Sequence, residues 1–247
     1  MTTIRLSIRR CDPMAGIAPH FQEYDVPVEE GMVVLEAVRY AAEKIDTTIA
    51  VRWNCEAARC GSCAAEINNV PALMCKTRID DLAGRITVAP MRAYPIVKDL
   101  VADVSANYET ERRMPAFKPF SNLKEPWKMW QPDVERSKEF RRCIECFLCQ
   151  DVCHVIREHE TGYFGPRHVV KAASLDTHPL DSLDRSKHMN EEGGIGYCNI
   201  TKCCQEVCPE KIRITDNAII PEKEGAADGA YDPLMRFIRS AKKDIEG

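Results

Sequence analysis

The stretch Cys143-Ile-Glu-Cys146-Phe-Leu-Cys149-Gln-Asp-Val-Cys153 decides the fold of the second half of the chain. Its spacing is C-x2-C-x2-C-x3-C. In that pattern three cysteines wrap one iron–sulfur cluster and the fourth reaches across to a second. The stretch therefore predicts a partner motif further along. Cys198-Asn-Ile-Thr201-Lys-Cys203-Cys204-Gln-Glu-Val-Cys208-Pro209 supplies it, in the same frame, with Thr201 where the second cysteine should stand. By the crossover rule, Cys143, Cys146, Cys149 and Cys208 make a [4Fe–4S] site, and Cys153 crosses the other way to join Cys198 and Cys204. Three thiolates fit a [3Fe–4S] cluster, a cubane lacking one iron. Two other readings of that corner stand beside it. The Thr201 hydroxyl or a water would hold a fourth iron, or Cys203 would swing in. Cys203 breaks the frame and is expected to point away from a cluster bound by Cys204.

A third group lies upstream. Cys55-x4-Cys60-x2-Cys63, with Cys75 further on, is the plant-type [2Fe–2S] spacing. Two irons bridged by two sulfides need four converging thiolates. A tight loop supplies three, Gly61 and Ser62 keep its bend small and offer N–H groups, and Cys75 comes from a neighbouring strand. A four-cysteine zinc site would more usually show two C-x2-C pairs, and here there is one. Eleven cysteines then serve three sites, which leaves Cys11 and Cys203 of the thirteen.

Composition narrows the partners. The 247 residues carry a net charge of −4 with 29% charged side chains, mixed in sign and without a basic stripe, so no nucleic-acid partner is expected. Apolar runs are far shorter than the roughly 20 residues of a membrane span. Met1 to Arg10 has no apolar signal core, which predicts a cytoplasmic chain whose cysteines are metal ligands rather than disulfides. No dinucleotide fingerprint, P-loop or nucleophile elbow occurs.

Periodicity places the motifs. Thr3–Arg9 alternates as a strand, with Phe21–Val26 as an antiparallel partner. Met32–Ile45 has a helical apolar stripe, and Ala64–Ile67, Ala72–Cys75 and Arg85–Ala89 read as short strands. Ile96–Tyr108 is helical in period. Met114–Pro132 holds four prolines with Phe117, Phe120, Trp127 and Trp130, and predicts an ordered connector that packs its aromatics at a domain junction. Val134–Cys143, Pro166–Leu175 and Tyr231–Lys243 are predicted helices, with loops between. The expected organisation is α+β. It comprises a [2Fe–2S] domain at 1–110, a connector at 111–133 and an all-α two-cluster domain at 134–247.

These three groups together resemble the iron–sulfur subunit of succinate dehydrogenase and fumarate reductase. The resemblance covers essentially the whole chain and includes the non-cysteine at Thr201. It implies a β-grasp ferredoxin domain followed by an α-helical ferredoxin domain. It further implies a flavoprotein subunit with FAD near Cys55–Cys75, a membrane anchor subunit, quinone at that boundary, and a place on the cytoplasmic face of the inner membrane. The catalytic substrate site belongs to the flavoprotein, so none is expected here. The sequence departs from the ubiquinone-reducing pattern at His154, Glu158 and Asn199. These three, with Thr201, are quinone-proximal candidates, and they hint at a different anchor type and menaquinone. Other readings are fumarate reduction in the reverse direction, or service to another flavin dehydrogenase. Relatives of the latter kind often carry a further cysteine-rich domain, and this chain runs only to Gly247 after Cys208. A zinc-stapled interaction module is the non-redox alternative.

Overall fold

The computed structural model of the chain describes residues 2–158 and 162–231. Strand β1 (Thr2–Asp12) pairs antiparallel with β2 (Ile17–Val28), from Thr2 opposite Val28 to Asp12 opposite Ile17. Alternation sends Leu6, Ile8, Tyr24 and Val26 inward. Helix α1 (Val34–Tyr40) continues into a wider π-helical stretch, Ala41–Ile45, and buries Val34, Leu35, Ala37, Val38 and Ala41. Strands β3 (Ala64–Ile67), β4 (Val70–Leu73) and β5 (Ile86–Ala89) complete a sheet of order β2-β1-β5-β3-β4. β5 runs parallel to β1 and antiparallel to β3. A mixed sheet with one helix packed on it is the β-grasp arrangement. Asn68 and Asn69, both left-handed at φ 49° and 65°, close the β3–β4 hairpin, a conformation asparagine tolerates. Cys75 lies just past β4 rather than within a strand.

The helix expected over Ile96–Tyr108 does not form. Its first half is a small hairpin, β6 (Ile96–Lys98) and β7 (Val101–Ala102), and α2 begins only at Ser105 and runs to Arg113. Asp99 is the cause. It sits at φ 45° and is buried. Its carboxylate accepts hydrogen bonds from Arg10 Nε (3.0 Å), Cys11 N (3.0 Å) and Ala50 N (2.9 Å). The Arg10 guanidinium also donates to Tyr24 Oη, Asp46 and Thr48 at 2.7, 2.6 and 2.8 Å. Tertiary satisfaction of a buried carboxylate outweighs a weak helical period.

The connector is ordered, but its aromatics do not fill the junction. Trp127 and Trp130 are 51% and 81% exposed, and Phe120 is exposed too. The connector is instead strapped to the helical half. Arg185, fully buried, donates to the carbonyls of Pro115 (2.8 Å) and Ala116 (3.0 Å) while pairing with Asp176 and Asp181. The junction is filled by Phe147, edge-on to Tyr94 and Tyr108. Around it Ala93 N donates to Asp151 (2.9 Å), Arg157 bridges Asp151 and Glu66, and Lys76 Nζ reaches Pro209 O (2.7 Å). Cys146, Phe147 and Leu148 belong to the same buried cluster as the sheet and α1.

The second half is helical. α3 (Gln131–Lys138) starts earlier than expected, with Pro132 in its first turn, and gives way to a 3-10 turn at Phe140–Arg142. Then come α4 (Leu148–Asp151), α5 (His154–Glu158), α6 (Pro166–Asp176), α7 (Ser186–Glu191) and α8 (Cys203–Glu206). A π-helical stretch, Ile214–Ile219, runs into α9 (Ile220–Tyr231) where a loop is expected from sequence. Pro221 and Gly225 argue against a helix interior, yet the chain stays helical through both. The expected helix Tyr231–Lys243 lies outside the described residues apart from Tyr231. Among the described residues no helix is long and apolar enough to cross a membrane.

Candidate metal centre

The first cysteine group sits on a loop between α1 and β3 that turns through left-handed residues, Glu56 (φ 53°), Ala58 (φ 54°) and Gly61 (φ 70°). This winding aims amides at sulfur. Ala57 N and Arg59 N lie 3.4 and 3.2 Å from Cys55 Sγ, and Cys55 N lies 3.5 Å from Cys60 Sγ. Burial works to raise the Cys60 thiol, yet donation from Ser62 and the Cys55 amide outweighs it and brings the group down to about 6. Cys63 is buried deeper, and burial pushes its thiol up to about 12, with Cys75 as its hydrogen-bond neighbour. Four sulfurs are thus brought together. Arg39 anchors the loop to α1, pairing with Glu56 at 2.7 Å and lying 4.0 Å over the Trp53 ring.

The second and third groups are one local structure built twice, 55 residues apart (198 − 143). A 3-10 turn precedes each first cysteine, at Phe140–Arg142 and at Ile195–Tyr197. Glu145 and Ile200 correspond, at φ 57° and 62°; so do Phe147 and Lys202, at φ 61° and 66°, each capping a four-residue helix. Successive left-handed residues curl the N–H groups of both loops inward, the concave arrangement that suits an anionic core. Gln150 and Gln205 also correspond. Gln150 Oε1 accepts Arg167 N (3.2 Å) in the first turn of α6, and Gln205 Oε1 accepts Thr215 N (3.1 Å) and Asp216 N (3.4 Å) at the next helical start. Each glutamine satisfies amides that a helix start leaves open. The paired strings Cys-Gln-Asp-Val-Cys (149–153) and Cys-Gln-Glu-Val-Cys (204–208) carry the signal for this, and spacing arguments on cysteines alone pass over it.

Cys143, Cys146, Cys149 and Cys208 line one enclosed cavity, walled by Ile144, Phe147, Val170, Ile212 and Ile214, with Arg167 at its side. Burial raises the thiols of Cys143, Cys146 (to about 12) and Cys149 (well above its usual range). Buried thiolates of this kind need a cationic metal core, so loading releases protons. Ile212 N donates to Cys208 Sγ at 3.4 Å. Cys204 and Cys153 lie within electrostatic reach of each other and of Cys198. The structure thus places Cys55, Cys60, Cys63 and Cys75 together at one loop, Cys143, Cys146, Cys149 and Cys208 around one cavity, and Cys153, Cys198 and Cys204 near one another. Among the described residues no group of three or more Cys, His, Asp or Glu converges on a single-ion site. Cavities lined by thiols, with amides aimed at sulfur, fit iron–sulfur clusters.

Cys203 differs from expectation. It takes the place of Leu148 in the repeat, and its thiol contacts the Thr201 hydroxyl at 3.3 Å, within reach of the Cys153 and Cys204 thiols. The left-handed turn at Lys202 puts it at the rim of the third site rather than away from it. Of the quinone-proximal candidates, His154 and Asn199 are brought together, Nδ2 to Nε2 at 2.8 Å. Glu158 lies instead within electrostatic reach of Arg92. Cys11 is buried in the first domain beside the Asp99 staple, away from all three sets.

Three further contacts escape a reading of the sequence. A Cβ at Gly61 would stand 2.7 Å from Cys146 Cα, so the first loop touches the backbone of the second. Tyr163, buried, lies within electrostatic reach of the Cys198 thiol. Thr215 Oγ1, also buried, lies 3.5 Å from Cys204 Sγ.

Comparison with known proteins places both halves of the chain in iron–sulfur families. Residues 5–109 match the family described as 2Fe-2S iron-sulfur cluster binding domain, and residues 139–212 match the 4Fe-4S dicluster domain. The chain is 30% identical to the fumarate reductase iron-sulfur subunit of Mycobacterium tuberculosis, over 86% of this chain and 88% of that one. It is 28% identical to the Haemophilus influenzae fumarate reductase iron-sulfur subunit, over 96% of both. It is 32% identical to a subunit of the CoM/CoB fumarate reductase of Methanothermobacter marburgensis over 98% of its own length, but spans only 50% of that protein. Among solved structures, a chain of the Mycobacterium smegmatis Sdh1 complex in the apo form superposes with a TM-score of 0.90 at 49% identity, over 94% of this chain and 98% of the other. An N-terminal 2Fe–2S ferredoxin domain, a helical 4Fe–4S region and relatives matched from end to end place this chain in the family of iron–sulfur subunits of succinate dehydrogenases and fumarate reductases.

Proposed function

We propose that this chain is the electron-transfer subunit of a membrane-bound succinate:quinone oxidoreductase. Cys55, Cys60, Cys63 and Cys75 hold a [2Fe–2S] cluster, Cys143, Cys146, Cys149 and Cys208 a [4Fe–4S] cluster, and Cys153, Cys198 and Cys204 a [3Fe–4S] cluster. Once bound, the clusters supply a one-electron relay from the FAD of a flavoprotein subunit to quinone at a membrane anchor, on the cytoplasmic face of the membrane. The single observation that carries the reading is the chain of contact between the sites. Gly61 touches the Cys146 backbone, and the second and third loops exchange Cys153 and Cys208.

The two ends of this path differ in a way that suits two partners. At the first site Cys55 and Cys60 are only partly buried, on a loop whose Glu56, Ala57 and Arg59 face outward. At the third site Tyr197 and Ile200 stand 58% and 39% exposed beside the His154–Asn199 pair. An apolar pair next to polar groups suits the edge of an anchor subunit and a quinone head group. The remaining work of the chain is positional. Amides steady the sulfurs, apolar walls exclude water, and the Arg157–Glu66–Asp151 ion pairs hold the two halves in register.

The test is succinate-driven quinone reduction by the purified complex, with Cys60→Ala as the variant. The expected result is loss of the [2Fe–2S] signal and of quinone reduction, with the flavoprotein still bound. Full quinone reductase activity in that variant would sink the proposal. Activity with fumarate and reduced quinone but none with succinate would move it to fumarate reductase. One observation favours a second reading of the third site. Cys203 Sγ lies 3.3 Å from Thr201 Oγ1, close enough to the open corner to serve as a fourth thiolate and hold a four-iron cluster.

A further inference from the structure

The two cysteine loops share a backbone but not their surroundings. The cavity of Cys143, Cys146 and Cys149 is walled by aliphatic and aromatic side chains. The third group is met by a hydroxyl. Thr215, on the π-helical stretch before α9, is fully buried with Oγ1 3.5 Å from Cys204 Sγ. Its backbone N–H is already used by Gln205, so its side chain is oriented from behind. Tyr163, just before α6, is 6% exposed and lies within electrostatic reach of the cysteines of the same group. When Cys204 binds iron it is a thiolate and can only accept, so the Thr215 hydroxyl must donate. A donor to a ligand sulfur stabilises the reduced cluster more than the oxidised one, because the reduced cluster carries the larger negative charge.

We propose that Thr215 is a positioning residue that raises the reduction potential of the third cluster through a hydrogen bond to Cys204. The inference rests on Cys153, Cys198 and Cys204 holding that cluster and not on whether it contains three irons or four. The Thr215 hydroxyl is not a ligand, and its sulfur contact is to Cys204. Its effect is therefore confined to the cluster that hands electrons onward, and it makes that cluster the better acceptor.

The experiment is a redox titration of the purified complex followed by electron paramagnetic resonance, comparing the unmodified protein with Thr215→Val and Thr215→Ser. Removing the donor in Thr215→Val is expected to lower the reduced-to-oxidised ratio of the third cluster at fixed potential by about tenfold, or ~59 mV for a one-electron couple. Thr215→Ser keeps the hydroxyl and should restore the ratio, and the [2Fe–2S] midpoint should stay put in both variants. An intact third-cluster signal with an unmoved midpoint in Thr215→Val overturns the proposal. So does loss of the cluster in both variants, which would mean the side chain only builds the site. Absence of any third-cluster signal from the unmodified complex is distinct from these outcomes and overturns the ligand set along with the inference.

Discussion

The loops 143–153 and 198–208 wind through the same left-handed residues, cap the same four-residue helix and place a glutamine under the next helical start. Three side-chain differences matter most at the clusters. Cys146 corresponds to Thr201, Leu148 to Cys203, and His154, just past the first loop, to Pro209. The comparison separates two things that a cysteine count merges. Backbone curvature makes a nest for an anionic cluster, and on the proposed ligand sets side chains at a few positions decide how many irons it holds and at what potential. The first of the two loops also does structural work that the second does not. Cys146, Phe147 and Leu148 sit in the core of the sheet domain, whereas Ile200, Thr201 and Lys202 are exposed.

That asymmetry predicts a ranking. Cys149→Ala should have the largest effect, removing a buried ligand in the loop that also joins the two halves. Loss of the four-iron cluster and destabilisation of several kcal/mol, on the scale of a lost structural metal, should appear in iron content and thermal unfolding. Cys203→Ala should leave both measures unchanged. Next is Gly61→Ala. It forces a Cβ to within 2.7 Å of Cys146 Cα at a left-handed φ, for a cost of about 2–4 kcal/mol. It should also slow electron transfer from the first cluster to the second in flash-reduction kinetics.

The glutamine pair sharpens the comparison further. Gln150 is buried and serves Asn107, Phe164 O and Arg167 N. Gln150→Ala should cost about 2–3 kcal/mol, against about 1–2 for the half-buried Gln205→Ala, since unsatisfied buried amides set the scale. Equal effects in denaturant titrations would contradict the ranking.

The smallest effect is a pH dependence behind the third loop. Lys223 of α9 holds Cys198 O at 2.6 Å. Its neighbour Glu222 is pushed up to about 8 by burial first and then by Asp176 and Asp184, which the Arg185 guanidinium offsets only partly. A carboxyl raised in the folded state binds more protons there than in the unfolded chain. Stability from this group is therefore full below about pH 4.5 and is lost as pH rises through about 8. Glu222→Gln should remove that slope. It should raise Tm relative to the parent by an amount that grows from pH 5 to pH 8, worth on the order of 1–2 kcal/mol at the upper end.

Much of this architecture was legible because cluster ligation leaves a spacing record and strands leave a period. The grouping of cysteines into the sets 55–75, 143–149 with 208, and 153 with 198 and 204 is an expectation that spacing carries, and β1, β2, β3 and α6 could be written down from alternation and a proline start. What sequence reading missed was set by tertiary partners. Asp99 turned a helical period into a hairpin because three groups distant in sequence converge on its carboxylate. Trp127 and Trp130 read as junction packing, but Phe147 holds that place. Thr215 carries no spacing signal, since its hydroxyl reaches sulfur only through the packing of the helical stretch before α9. Gly61 could be read as a tight bend, but not as the point where two cluster loops touch.

The central claim is that one backbone frame holds two different clusters because position 201 carries a hydroxyl instead of a thiol. The most direct test is electron paramagnetic resonance of the anaerobically purified complex, oxidised and then reduced with succinate, beside the same complex carrying Thr201→Cys. The account predicts a three-iron signal in the oxidised parent, a two-iron signal growing in with succinate, and loss of the three-iron signal in Thr201→Cys as a fourth iron fills the corner. A parent with two four-iron clusters and no three-iron signal, or a Thr201→Cys spectrum unchanged from the parent, would contradict it.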